Sequence, residues 1–169
     1  MALRFIIGFI FIINISNAQE SKELDRRNGF KDIKMTSLIT AYEGLELKKE
    51  IEDEEFPNAS LYTAKKGHYE NIGKLKIYDL EVKTYKDSIF EIKVITEKDP
   101  NLYKGLKKVF GTPEFNYKSR QYYWKSDRLQ LSYSSFSNTK IEMVYRSYIM
   151  SAKRKEEKKQ VVENIVDDF

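Results

Sequence analysis

The chain predicts a single α+β domain in two layers: an antiparallel sheet of about five to seven strands, two helices packed on one of its faces, and a C-terminal helical tail. Three patterns predict it. Apolar and polar residues alternate over 128–135 and 139–149, a capped amphipathic helix lies between Asp99 and Gly111, and a long hairpin occupies 74–96.

Residues 1–18 have the layout of a secretory signal. Met1 to Arg4 give a short positive start, Phe5 to Ile13 (FIIGFIFII) is unbroken apolar, and Ser16 and Ala18 supply the small residues a signal peptidase needs, with cleavage expected before Gln19. A spanning anchor takes roughly 20 apolar residues, more than this run has. No cysteine follows it to carry a lipid, so no membrane anchor is expected after cleavage. The expected location is periplasmic or secreted, in a Gram-negative bacterium. Cysteine is absent throughout, so burial rather than disulfides must hold the fold together. The remaining chain suits one ordinary core, not two. The formal charge is +4 with both signs interspersed, which favours solubility over a polyanionic partner, and nucleic acid is not an expected ligand.

Residues 19–29 (QESKELDRRNG) are polar and predict a flexible leader. The domain proper is expected over 30–150. It begins with a short strand at 30–35, then a short helix capped by Thr36 with Leu38, Ile39 and Tyr42 turned inward, ended by Gly44. Leu45 and Leu47 alternate with Glu46 and Lys48, which predicts a strand over 44–50. An acidic loop at 52–58, a strand at 59–63 and a loop punctuated by Gly67 and Gly73 follow. In the hairpin, Leu75 and Ile77 share one face while Leu80, Val82 and Thr84 share another register. An odd offset between the two sets requires a bulge or bend near Tyr78–Asp79. After a turn at Lys86–Ser88, Phe90, Ile92 and Val94 alternate with Glu91 and Lys93.

The helix after it has paired boundary signals. Asp99 is an N-cap, Pro100 stands where its missing N–H costs nothing, and Leu102, Leu106, Val109 and Phe110 form one stripe. Lys104, Lys107 and Lys108 lie toward the negative end of the helix dipole, and Gly111 and Pro113 stop it. Strands at 119–125, 128–135 and 139–149 complete the sheet. Leu129, Leu131, Tyr133, Ile141, Met143 and Tyr145 are expected inside, and Glu142, Val144, Arg146 and Tyr148 outside. The tail, 151–169, is helical by pattern, with favourable pairs such as Arg154–Glu157 and an apolar stripe of Val161, Val162, Ile165, Val166 and Phe169. That stripe predicts a helix that docks weakly on the domain or frays, or else a partner-binding helix.

The segment Leu102–Pro113 (LYKGLKKVFGTP), followed by the Trp124 strand and two more, resembles the two-repeat helix-plus-sheet domains of the β-lactamase-inhibitor-protein-like and outer-membrane-assembly-lipoprotein-like group. Ile33–Tyr42 (IKMTSLITAY) is similar to a degenerate first copy, with Lys34-Met35-Thr36 and Tyr42-Glu43-Gly44 where that group has Gly-Met-Thr and Gly-x-Pro. The resemblance implies a protein-binding module and carries no catalytic residue over.

Residues that could support chemistry are few. His68 is the sole histidine, flanked by Gly67 and Tyr69, and no Gly-x-Ser-x-Gly elbow accompanies it. One histidine and no cysteine cannot make a zinc site, and the run Glu52–Glu55 lacks the spacing and glycine of a calcium loop. No cofactor, metal or catalytic residue is therefore expected. In Tyr122–Tyr123–Trp124, Trp124 and Tyr122 share the core face, which leaves Tyr123 to join Arg146 and Tyr148 on the wet one. Those three are the candidate binding residues. The function expected from them is a non-enzymatic, exported protein-interaction module with an envelope protein as partner. The alternatives are a glycan or small-ligand binder on the Tyr-rich strands, and a hydrolase using two convergent carboxylates or a tyrosine.

Overall fold

The computed structural model describes residues 22–167, with side chains through 166. The expected signal, its cleavage site and Phe169 lie outside the described residues. In chain order, residues 22–27 form helix α1, and β1 (Gly29–Phe30) and β2 (Ile33–Lys34) make a small hairpin. A 3-10 turn at Ile39–Ala41 leads to β3 (Leu45–Ile51), β4 (Ala59–Ala64), β5 (Asn71–Ile72), β6 (Leu75–Tyr85) and β7 (Ser88–Glu97). Helix α2 (Pro100–Phe110) precedes β8 (Glu114–Asn116), β9 (Gln121–Lys125), β10 (Leu129–Ser135), β11 (Lys140–Ser147) and helix α3 (Tyr148–Asp167). The main sheet is antiparallel, in the order β3-β4-β6-β7-β11-β10-β9-β8, with β5 paired to β6. Two meanders thus meet at the central β7–β11 pair. The α+β architecture expected from the sequence is the one found. The sheet is wider than expected because the short strands β5 and β8 carry no alternation of their own to reveal them. No helix among the described residues is long and apolar enough to cross a membrane.

Register divides the sheet into two unlike faces. One row runs Trp124, Leu131, Tyr145, Ile92, Val82, Tyr62, strand to strand. Its members are buried or pack on the main core. The intervening row runs Gln130, Arg146, Glu91, Lys83. The two-residue period of a strand forces this segregation. The dry face is covered by Leu24 of α1, Phe30, Ile33 and Met35 of the N-terminal hairpin, and Phe110 of α2. Asp99 caps α2 by accepting from Asn101 N–H at 2.6 Å, and the Gly111 N–H closes its last turn on the Lys107 carbonyl at 2.9 Å. The bulge expected near Tyr78–Asp79 is there, between Ile77 and Asp79.

Four expectations need correction. The segment read as a flexible leader is helical over 22–27 and buries Leu24, because a single leucine suffices to dock one turn on the core. Thr36 caps no helix: it lies at positive φ, its N–H bonds to the Ile89 carbonyl, and the turn that follows leaves Leu38 exposed while Ile39 is buried. Phe90 does not share a core with Ile92. A second bulge between Lys83 and Thr84 rotates it away, and it joins Phe56, Ala59, Tyr85 and Met150 in a separate cluster. The last strand stops at Ser147, whose hydroxyl accepts from the Met150 N–H at 3.2 Å, so Tyr148 opens α3. The apolar stripe of α3, whose docking the sequence leaves open, is undocked: Val161, Val162, Ile165 and Val166 are exposed. Only the first half of α3 is tied down. Tyr85 donates to Glu157 at 2.8 Å, and Arg154 donates to the Glu55 carbonyl at 3.2 Å.

Candidate functional site

Tyr123 and Arg146 lie on neighbouring rungs of the wet face and Tyr148 reaches the same side from the start of α3, but each polar group already has a partner. The Tyr123 hydroxyl donates to Glu114 at 2.6 Å, and Lys125 sits 4.5 Å from its ring. Arg146 donates through Nε to Glu91 at 3.1 Å and also through its terminal nitrogen, while Lys83 reaches Glu91 at 3.0 Å. Tyr148 donates to Gln130 at 3.0 Å. The hydrogen bond to Glu114, followed by desolvation, raises the Tyr123 phenol above its usual pKa. This is a satisfied polar lattice, with Glu91 buried beneath its two cations.

Two other features read from the sequence are likewise accounted for. His68 is exposed beside Gly44, where an added Cβ would stand 2.7 Å from its Nδ1. Asp53 of the acidic run accepts from the N–H groups of Glu55 and Phe56 at 3.0 and 3.2 Å, and pairs with Lys83 at 3.3 Å. Burial works against its charge, yet those contacts outweigh it and keep the carboxyl below its ordinary pKa. The run thus ties its own loop.

The concavity lies on the opposite side of the sheet, under α2. Leu102, Leu106 and Val109, the stripe expected to seal the core, are only half-buried, and Phe110 alone is fully covered. Beneath them is a groove of about 860 Å³, a size that holds one small organic ligand. Its floor is Met143 and Tyr145 of β11, and its far walls are Phe30 and the β5–β6 turn with Ile72 and Leu75. Gly105 shares the helix face of Leu102 and Val109 and also lines the groove. A Cβ there meets nothing within 4 Å. A mid-helix glycine costs about 1 kcal/mol relative to alanine, and here it keeps a groove wall low.

Tyr145 is the polar feature of the floor. As a residue it is 4% exposed, and it lines the groove. Burial pushes its pKa well up, with the nearby Arg27 charge pulling partly the other way, so the phenol stays protonated and able to donate. Arg27 itself stands 6.0 Å from the Phe110 ring at the end of α2.

Comparison of the chain with protein-family models, curated proteins and solved structures gives no match.

The lining of the groove reads in the sequence as ordinary core, and the one signal of it there is Gly105, a glycine set into an apolar stripe.

Proposed function

We propose that the protein is an exported, non-enzymatic binding protein whose ligand site is the groove between α2 and the dry face of the sheet. The observation that carries this reading is the half-buried stripe of Leu102, Leu106 and Val109 above a floor that holds Met143 and the polar side chain of Tyr145. Apolar lining with a few inward polar groups is the usual composition of a small-ligand pocket. The expected small-ligand alternative is thereby preferred, at a site other than the Tyr-rich strands. The neutral apolar dye N-phenylnaphthylamine is expected to bind the purified protein with a rise in fluorescence. Gly105→Leu narrows the groove from a helix-favouring position, so it should weaken dye binding at least tenfold while the Tm holds or rises. Absence of dye binding, or undiminished binding to Gly105→Leu, would refute the reading.

A second reading places a protein partner on the wet face, favoured by the half-exposed Tyr123 and Tyr148 rings flanking exposed Arg146. Changing Tyr123, Arg146 and Tyr148 together to alanine should leave dye binding unaltered if the groove is the site, whereas loss of an envelope partner on that variant supports the second reading.

A further inference from the structure

We infer that the groove takes a linear fatty carboxylate, its chain along Leu102, Leu106 and Leu75 and its head between Arg27 and the Tyr145 hydroxyl. The inference rests on the groove being the ligand site and adds the chemistry of the occupant.

The rim supplies the charge complementarity. Arg26, Arg27, Lys31, Lys34 and Lys74 line the groove, and Asp99 is the one carboxylate among the lining residues. Glu23 bridges the two arginines at 2.7 Å each, so five cations face two carboxylates. The lysines carry the excess. None of Lys31, Lys34 and Lys74 has a carboxylate within ion-pair distance among the described residues. Lys34 donates only to the backbone carbonyls of Arg27 and Lys31, both at 2.9 Å, and Lys31 stands over the rings of Phe30 and Tyr69. A local excess of positive charge at a groove rim attracts an anion, and because these side chains are largely exposed the attraction weakens as salt is raised.

Tyr145 supplies the hydrogen bond. Tyr145 lines the groove floor, where its phenol can donate to an acceptor carried in by a ligand. A phenol donating to a carboxylate is a charge-assisted bond, stronger than a neutral one. The charges also orient the ligand. Asp99 stands at the start of α2 and repels a carboxylate, whereas Arg27 stands at the Phe110 end. Between those ends the wall is apolar, and from Leu102 to Phe110 the helix rises about 12 Å, which suits an extended chain.

Calorimetric titration of the purified protein with dodecanoate, dodecanol and dodecylamine, all below their aggregation limits, tests the inference. Dodecanoate should bind about tenfold or more tightly than dodecanol, and dodecylamine most weakly, with the preference shrinking as salt is raised. Tyr145→Phe loses no internal hydrogen bond and should fold normally, yet it should abolish most of the acid-over-alcohol preference and leave dodecanol unaffected. Arg27→Gln should act in the same direction. Equal binding of acid and alcohol would overturn the carboxylate inference while sparing the groove. Failure of all three to bind would overturn both. Binding to phosphatidylglycerol vesicles without binding to dodecanoate would show a lipid surface as the ligand and also contradict the inference.

Discussion

Replacing Trp124 with alanine should lower the unfolding free energy by about 3–5 kcal/mol, the range for removing a large buried aromatic. The residue is 4% exposed in β9, and its indole meets the edge of Phe110 at 6.3 Å between centroids and lies 6.4 Å from Tyr103. Its Nε1–H donates to the Gly111 carbonyl at 2.8 Å. That bond fastens the C-terminal end of α2 to the second meander, and Gly111 sits at φ +78°, which a side chain would strain. Alanine removes the ring, opens a cavity beside the groove and leaves the carbonyl without its donor. Trp124→Phe keeps most of the apolar contact and should cost only about 1–3 kcal/mol, largely the lost hydrogen bond. Urea denaturation followed by far-ultraviolet circular dichroism reads both, because this is the chain's only tryptophan and fluorescence disappears with it. An alanine variant within about 1 kcal/mol of the native protein would mean that α2 is not held to the sheet through this contact.

The second large effect belongs to the reverse side. Phe56 is buried in the acidic loop, stacked on Phe90 with centroids 4.1 Å apart and tilted against Tyr85 at 5.4 Å. Phe56→Ala should cost about 3–5 kcal/mol, as for other buried phenylalanines. It should also loosen α3. The helix reaches this cluster through Met150 and is tied to the loop by Arg154 on the Glu55 carbonyl. Amide exchange over 148–160 should therefore accelerate more than exchange in β7 and β11, since local opening follows local packing. Because the cluster and the groove lie on opposite faces, dye binding should survive in Phe56→Ala at denaturant concentrations where it folds, and weaken in Trp124→Ala. Uniform acceleration across the sheet would show that the second cluster is not a separate cooperative unit.

The contrast between these two clusters shows what sequence patterning carries. Leu129, Leu131, Met143 and Tyr145 lie inside as their alternation requires, because a two-residue period leaves no other way to bury one face. The bounds of α2 follow from Asp99, Pro100 and Gly111, where backbone chemistry is local. Phe90 departs from its alternation because a bulge inserts one residue without marking the sequence. The end of β11 is hidden in the sequence although Ser147 is a capping residue, since Tyr148 and Ile149 read equally well as strand. Leu24 lies in a stretch with no period at all, and docks through tertiary contact alone. The groove is the feature least visible in the sequence. Leu102, Leu106 and Val109 have the pattern of a sealed core, and how far a helix stands off its sheet depends on what lies beneath it, which periodicity does not encode. The same alternation places Tyr123 and Arg146 on the wet face, whereas Tyr148 reaches it from α3, and the partners of all three, Glu114, Glu91 and Gln130, are visible only in three dimensions.

The most direct test is an amide chemical-shift map of the isotopically labelled protein titrated with N-phenylnaphthylamine. If α2 stands over a ligand groove, the shifts concentrate at Leu102–Phe110, Phe30 and Met143–Tyr145, and Gly105→Leu suppresses them. Shifts gathered at Tyr123 and Tyr148, or none at all at saturating dye, would contradict it.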